Sequence, residues 1–416
     1  MNILLLTQLF QPEPAHLKGL SFAKDLVSRG HHVEVLTGFP NYPLGRLYDG
    51  YRMKPWSREY LDGVRVTRVA MFPSHDNRAL HRLATYSSLA LMAAVFGPAL
   101  LAPKRFDVVH VYEGPVTLAL PAFAYELLGG VPFVLDVQDL WPESAESSGM
   151  LRSSWGLRMV DRWCRMSYRR ASRIIVPTEG FKRALTDRGV PEHKVAVIFN
   201  WCDELPTGRT GARPASDALG DPDGRFTVVY AGTMGPVQAL GSVIAAAELL
   251  ADRPDIRFVF VGDGVDVGNL TEQAASLGLG NVEFLPRQSP EDVVPILSRA
   301  DALLVHLKDD PLTRLSIPQK PQAYMAAGRP IVIAVGGESS ELVRRAEAGV
   351  VCQPGDPESI AEAIRGLSVM PAHLRAAMGG NGRRYYEENF AFSRGTARVE
   401  AVLHAAAGKT RDLQRS

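Results

Sequence analysis

Residues 315–330 read Leu-Ser-Ile-Pro-Gln-Lys-Pro-Gln-Ala-Tyr-Met-Ala-Ala-Gly-Arg-Pro, and the apolar run Ile331 to Val335 follows at once. Ile317-Pro318 closes a loop, since the residue before a proline is steered away from helix. Gln319 to Ala327 is rich in helix formers, and Pro321 is tolerated in a first turn. Gly328 suits a C-cap and Pro330 blocks continuation. The stretch predicts a short helix feeding a buried strand. The start of such a helix offers free backbone N–H groups and a partial positive charge, to which Lys320 adds a full one. An anion site is the direct reading; solvated helix ends at Lys320 and Arg329 are the plain alternative.

Working outward, apolar runs alternate with longer amphipathic segments along the whole chain. In the first half they are Ile3 to Leu6, Val33 to Leu36, Val64 to Val69, Val108 to Val111, Phe133 to Val137, Ile174 to Val176 and Val195 to Phe199. The rhythm restarts at Phe226 to Tyr230, Phe258 to Val261, Val282 to Leu285, Ala302 to Leu307, Ile331 to Val335 and Val350 to Cys352. Near-continuous runs of this kind predict parallel sheets covered on both faces, hence an α/β protein of two doubly wound, Rossmann-like domains. Asp203 to Arg225 is dense in Gly, Pro, Asp and Ser and lacks apolar periodicity, so it reads as a linker. The expected division is 1–202, linker 203–225, 226–384, and terminal helices over 385–416. Ligands of open α/β sheets sit outside the carboxyl ends of strands, so the two domains are expected to face a cleft.

At 416 residues, 46% hydrophobic and 22% charged, the chain is long and apolar enough for two folded cores. A net charge of +1, without basic clusters interleaved with aromatics, gives no reason to expect nucleic acid as a partner. Cys164, Cys202 and Cys352 are far apart and carry no metal or disulfide spacing. The opening Met1-Asn-Ile-Leu-Leu-Leu-Thr lacks a basic n-region and a cleavage site, so it reads as the first strand of a cytoplasmic protein.

The Ile317-Pro-x-Lys320 phrase and the following Tyr324-Met-Ala-Ala-Gly-x-Pro330 resemble the nucleotide-sugar element of glycosyltransferase family 4. These are retaining enzymes of GT-B architecture, and the phrase is most similar to the branch building bacterial surface polysaccharides, such as N-acetyl-fucosamine transferases. In the first half, Asp139-Leu-Trp-Pro-Glu-Ser144 and Thr37-Gly-Phe-Pro-Asn-Tyr-Pro-Leu-Gly45 resemble the same branch. The resemblance implies that the terminal helices cross back onto the first domain.

Candidate residues follow from both readings. Tyr42 and Phe39 offer aromatic faces for a sugar. His16 and Lys18 in the loop Gln8 to Gly19, Tyr112 and His110 at the end of the fourth run, and Asp139 and Glu143 after the fifth are expected at the acceptor side. In the second half, the turn Tyr230-Ala-Gly-Thr233 offers Gly232 and Thr233 to a diphosphate, and Gly262 permits close approach. By analogy with the family the backbone around Arg287 meets the base. The chain also departs from the family. The usual Arg/Lys pair falls at Thr233 and Gln238, a donor-contacting histidine at Gln138, and two glutamates at Leu315 and Ala323. Gln322, Glu338 or Glu341 is left to accept from the ribose or sugar, and Arg314 and Lys320 to carry the charge.

Tyr86 to Ala102 is seventeen uncharged residues, short of the ~20 a span needs. It reads either as a core helix or as a monotopic element, with Arg78, Arg82, Lys104 and Arg105 meeting anionic headgroups and Leu89, Met92 and Phe96 on the apolar face.

Together these imply a retaining transferase moving a sugar, N-acetylated in this reading, from a UDP-linked donor to a polysaccharide or lipid-linked acceptor. The expected catalytic groups are Lys320, Arg314 and Asp139. No cofactor is expected, and no metal, since Asp309-Asp310 is adjacent rather than spaced. The expected location is cytoplasmic, on the inner face of the plasma membrane if 78–105 docks there. A hydrolysing nucleotide-sugar epimerase and a catalytically silent GT-B partner that binds nucleotide sugar stay open as alternatives.

Overall fold

The apolar runs form strands in a computed structural model, which describes all residues except 15–16, 77, 148, 152, 202–223 and 414–416. The expected linker lies almost wholly outside the described residues. Contacts divide the chain into two units, one of Met1–Phe199 with Ser393–Ser416 and one of Asn200–Phe392. The return to the first unit therefore begins at Ser393, later than residue 385.

The first unit holds β1 (Asn2–Thr7), β2 (His32–Gly38), β3 (Trp56–Leu61), β4 (Val64–Val69), β5 (Val108–Glu113), β6 (Phe133–Val137), β7 (Arg173–Val176) and β8 (Val195–Val197). Their order is β3-β4-β2-β1-β5-β6-β7-β8. Ile3, Leu4 and Leu5 are wholly buried, and each such side chain contributes about 1.5–3 kcal/mol. All neighbours are parallel except β3, which runs antiparallel to β4. That edge strand, Trp-Ser-Arg-Glu-Tyr-Leu, has no apolar run and alternates between exposed and half-buried positions. Its hairpin is made by Asp62-Gly63, with φ of 47° and 85°, the backbone that a two-residue turn between twisted strands requires.

The second unit holds β9 (Phe226–Ala231), β10 (Ile256–Val261), β11 (Val282–Leu285), β12 (Ala302–His306), β13 (Ile331–Ala334) and β14 (Gly349–Val351), in the order β11-β10-β9-β12-β13-β14. Every adjacent pair is parallel. In each sheet the chain builds outward to one side of its first strand and then to the other. The reversals fall between β1 and β5 and between β9 and β12, which are the places where open sheets bind ligands.

The helix Ala79–Leu100 corrects the expected apolar face. Leu89 is 1% exposed and points into the unit with Ala90, Ala93 and Gly97, whereas Leu80, Leu83, Leu91 and Val95 are 52–77% exposed. Arg82 is half-buried and acts electrostatically on the Tyr86 phenol.

Candidate functional site

In the second unit, β9 ends at Ala231 and the chain turns through Gly232-Thr233-Met234. The Gly232 and Met234 amides donate to the carbonyls of Val261 and Asp263, both at 2.8 Å, so this turn lies on the turn after β10. A β-carbon at Gly262 or Gly264 would stand 2.0 Å from the carbonyl oxygen of Gly232 or Met234, and φ there is +149° or +146°. Only glycine tolerates both the closeness and the dihedral. Gly264→Ala should therefore cost about 3 kcal/mol through strain and overlap. Urea denaturation checks this; a loss under about 1 kcal/mol would mean that the two turns separate freely.

The helix Gln319–Ala327 ends at Gly328 with φ of 68°. Lys320 in its first turn lies back across the end of β9. Its Nζ donates to Tyr230 Oη at 2.5 Å and stands 4.2 Å from the centre of that ring. A β-carbon on Gly232 would come within 2.6 Å of Lys320 Cε, so the glycine makes room for the lysine. Burial pushes the Lys320 ammonium down to about 8. Burial also drives the Tyr230 phenol far up, keeping it neutral, and its hydroxyl donates to Thr233 O at 2.5 Å. Tyr324 Oη accepts from the Ala231 amide at 2.9 Å. One cation is thus held between neutral dipoles at the sheet's reversal, beside the free amides of a helix start.

His306, at the end of β12, is wholly buried. Its Nδ1 donates to Gln238 O at 2.7 Å, and Nε2 accepts from the Gly355 amide at 3.2 Å and meets Ser242 Oγ at 3.0 Å. Burial lowers its pKa, so it is a neutral brace for the loop carrying Gln238.

The structure brings Lys320, Gly232, Thr233 and Gly262 together. Arg287 reaches the same glycine turn, 3.5 Å from Asp263, and is 77% exposed. Gln322, two residues on from Lys320 in the same helix, is 1% exposed. Arg314 makes two hydrogen bonds with Asp309, at 2.7 and 2.6 Å. Glu341 is held by Arg344 and Arg345 on the surface, a local helical pairing that neutralises it. Glu338 starts its helix behind Gly337 (φ 72°), where a β-carbon would sit 1.9 Å from Arg314 O; it is the buried carboxylate of that loop.

In the first unit a charged network sits at the reversal between β1 and β5. Asp136, inside the apolar β6, is wholly buried and meets Lys18 Nζ at 2.7 Å and His110 Nε2 at 3.1 Å. Gln138 Nε2 donates to its other oxygen at 2.5 Å. Burial alone would raise the Asp136 pKa; Lys18 and His110 outweigh it, and the net shift is downward. His110 is lowered by burial in spite of Asp136. Lys18 also lies 5.0 Å from the Tyr112 ring centre.

Asp136 and Asp139 both act on the Tyr112 phenol, and Asp139 and Tyr42 on that of Tyr86, so these side chains share one neighbourhood. Asp139 is open to solvent on one side and enclosed by protein on the others, and this desolvation raises its pKa. The two preceding loops are tied together by buried groups. Glu13 accepts from the amides of Asn41 and Tyr42, both at 2.8 Å, and Arg68 donates to the carbonyls of Gly38 and Gln11.

Glu143 pairs with Arg188, which also donates to Trp141 O at 2.6 Å, so its carboxylate braces the Trp-Pro turn. Phe39 is 2% exposed and cannot stack on a sugar; Tyr42 packs edge-on against His75 at 4.6 Å. His16 lies outside the described residues. Sequence reasoning passed over Asp136, Tyr230 and His306. The available signal was a charged or polar residue inside an apolar strand, which burial permits only with partners.

Residues 20–201 match the family described as Glycosyl transferase 4-like domain, and residues 213–385 match Glycosyl transferases group 1. WcaI of Escherichia coli (strain K12), assigned as a colanic acid biosynthesis glycosyl transferase, is 27% identical over 365 residues, covering 85% of this chain and 88% of its own. WbjE of Pseudomonas aeruginosa, assigned as a glycosyltransferase, is 25% identical over 296 residues, covering 69% and 72%. The structure of HepE from Anabaena in complex with UDP and glucose shares the fold, with a TM-score of 0.65 and 18% identity over 97% of this chain and 99% of that one. With a glycosyltransferase domain matched in each half and a fold shared along nearly the whole length, the chain belongs to the family-4 glycosyltransferases of GT-B architecture and is a transferase enzyme.

Proposed function

We propose that the enzyme moves an N-acetylated sugar from a UDP-linked donor to a polysaccharide or lipid-linked acceptor, with retention and without a metal. The observation that carries this is Lys320, desolvated at the start of a helix and at the reversal of the second sheet. As the glycosidic bond lengthens, the departing diphosphate gathers negative charge. A desolvated ammonium and aligned helix amides stabilise that charge more than water does. The acceptor hydroxyl attacks from the face the diphosphate leaves, and its proton passes to the leaving phosphate oxygen. Asp139, Tyr42, Tyr86 and Tyr112 supply polar and aromatic contacts for the acceptor. WcaI's assignment to colanic acid biosynthesis and UDP with glucose in HepE support the choice of donor and pathway class.

The test is a panel of UDP-sugars with lipid extract, reading UDP release, product mass and the anomeric configuration of the product. An inverted product ends the retention claim, and failure of every UDP-sugar to shift the melting temperature or release UDP ends the donor claim. Donor epimerised without acceptor would favour the epimerase reading.

The same proposal places the enzyme in the cytoplasm, touching the inner leaflet through the helix Ala79–Leu100. Leu80, Leu83, Leu91 and Val95 are its exposed apolar side chains, and Leu127 and Leu128 are exposed on the neighbouring helix Ala119–Gly129. Leu91→Asp with Val95→Asp should lower partition onto anionic vesicles by about tenfold or more, since each side chain is worth about 1.5–3 kcal/mol when buried. Unchanged flotation with vesicles would remove this face from the proposal.

A further inference from the structure

At the other end of the first sheet's strands, by the amino ends of β1 and β2, three side chains converge that the transfer reaction does not use. His31 precedes β2, and Glu400 and His404 lie one turn apart on the C-terminal helix Phe392–Leu413. One ligand atom from each falls within 4.8 Å of the other two. His31 Nε2 is 2.8 Å from Glu400 Oε1, and the two imidazole rings are 5.4 Å apart. We propose that these residues bind one divalent transition-metal ion, zinc in the first instance, which pins the C-terminal helix to the start of the sheet.

The donor set points to the ion. Two imidazoles and one carboxylate suit Zn²⁺, Co²⁺ or Ni²⁺, whereas Ca²⁺ and Mg²⁺ demand more oxygen ligands than are present. The supporting contacts already orient the ligands. Arg29 Nη1 lies 3.3 Å from Glu400 Oε2, leaving Oε1 turned toward the histidine. The Met1 nitrogen lies 3.2 Å from His31 Nδ1, which leaves Nε2 turned toward Glu400. The metal enters between Nε2 and Oε1, which become two of its ligands, and any proton they share is released to solvent. His404 supplies the third from the helix turn below. It also lines a cavity of about 450 Å³ bordered by Met1, Asn2, Gly30, His32 and Asp107, which leaves room for water as a fourth ligand. Three protein ligands and an open position are a known coordination pattern for zinc.

His31 is nearly buried, Glu400 half-buried and His404 exposed. Metal binding therefore exchanges an internal His–Glu hydrogen bond for coordination, and joins residues some 370 positions apart in the chain, His31 and Glu400 at |i−j| = 369. A link between such distant positions constrains the unfolded chain strongly, so the metal should raise stability as well as bind.

The experiment uses the full chain without a histidine tag, stripped with chelator and titrated with ZnCl₂ by calorimetry and by thermal melting, with Co²⁺ absorption as a spectroscopic check. The expected result is one equivalent bound, a melting temperature that rises with zinc, and intense visible bands of four-coordinate Co²⁺. His404→Ala, an exposed change that spares the fold, should weaken binding by about 100-fold or abolish it while leaving the metal-free melting temperature unchanged. Arg29→Ala should weaken it by about tenfold through the second oxygen of Glu400. Glu400→Gln should remove the zinc-dependent rise in melting. Absence of zinc binding in the wild type, or equal binding in wild type and His404→Ala, overturns the proposal; the second result would assign the ion to other groups.

Discussion

Lys320→Ala is expected to lower kcat by about 10²–10³-fold, the range for removing one preorganised group that meets developing charge. The side chain is held by Tyr230 Oη at 2.5 Å and lies over the tyrosine ring, so its position is set before the donor arrives. Its electrostatic work is large for the same reason that its pKa is pushed down to about 8: little water competes for the charge. The sign of the pH effect follows. In the donor-free enzyme the ammonium is present below about 8 and is lost as pH rises through that value, so kcat/KM should fall about tenfold per unit above it. Lys320→Met should abolish this limb of the profile. A lysine with a lowered folded pKa costs stability while it is charged, and that cost disappears between about 8 and its unfolded value near 10.4. Lys320→Met should thus melt no lower than wild type at neutral pH, separating lost chemistry from lost folding. A variant with kcat near wild type would remove Lys320 from the reaction.

Asp136→Ala is expected to destabilise the first unit by about 3–5 kcal/mol, because it removes the carboxylate that faces the buried Lys18 charge. Both side chains are at most 1% exposed, and Asp136 also holds His110 and Gln138. Lys18→Met should cost less, about 1–3 kcal/mol, because His110 and Gln138 still contact the carboxylate. The paired change Lys18→Met with Asp136→Ala should recover part of the loss, since replacing both charges removes the desolvation problem rather than halving it. Urea midpoints of the four proteins give the coupling. Additive losses, or a single-variant loss under about 1 kcal/mol, would show that the network is not a coupled unit. The Asp136 pKa is lowered, so its contribution is complete above the unfolded carboxyl value near 4 and fades as pH falls through the folded one. Acid unfolding should accordingly begin at lower pH in the doubly apolar variant.

The strands were legible because parallel sheets, buried on both faces, write themselves as continuous apolar runs; Ile3 to Leu6 and Ile331 to Val335 needed no context. The strand β3 was not, because a half-exposed edge strand has the composition of a loop, and its Asp62-Gly63 turn is the surviving sign. The helix Gln319–Ala327 and its Gly328 cap followed from local chemistry alone. Which face of a helix meets the core did not. Leu89, on the membrane-facing side in the monotopic reading, is buried, and so is Gln322, offered as an acceptor for the ribose or sugar; small differences in phase decide whether a side chain meets solvent or sheet.

By itself the sequence determined the α/β class, two Rossmann-like halves and the family, because periodicity and short phrases such as Ile317-Pro-x-Lys320 are local properties of the chain. Tertiary structure alone decided which charges are at work. Arg314, Glu341 and Glu143 are neutralised by Asp309, Arg344 with Arg345, and Arg188, whereas Lys320 is half-buried against a tyrosine hydroxyl. Whether a charge is free or paired depends on neighbours brought together by folding, and on how much solvent those neighbours exclude. Neither quantity is written in the order of residues along the chain.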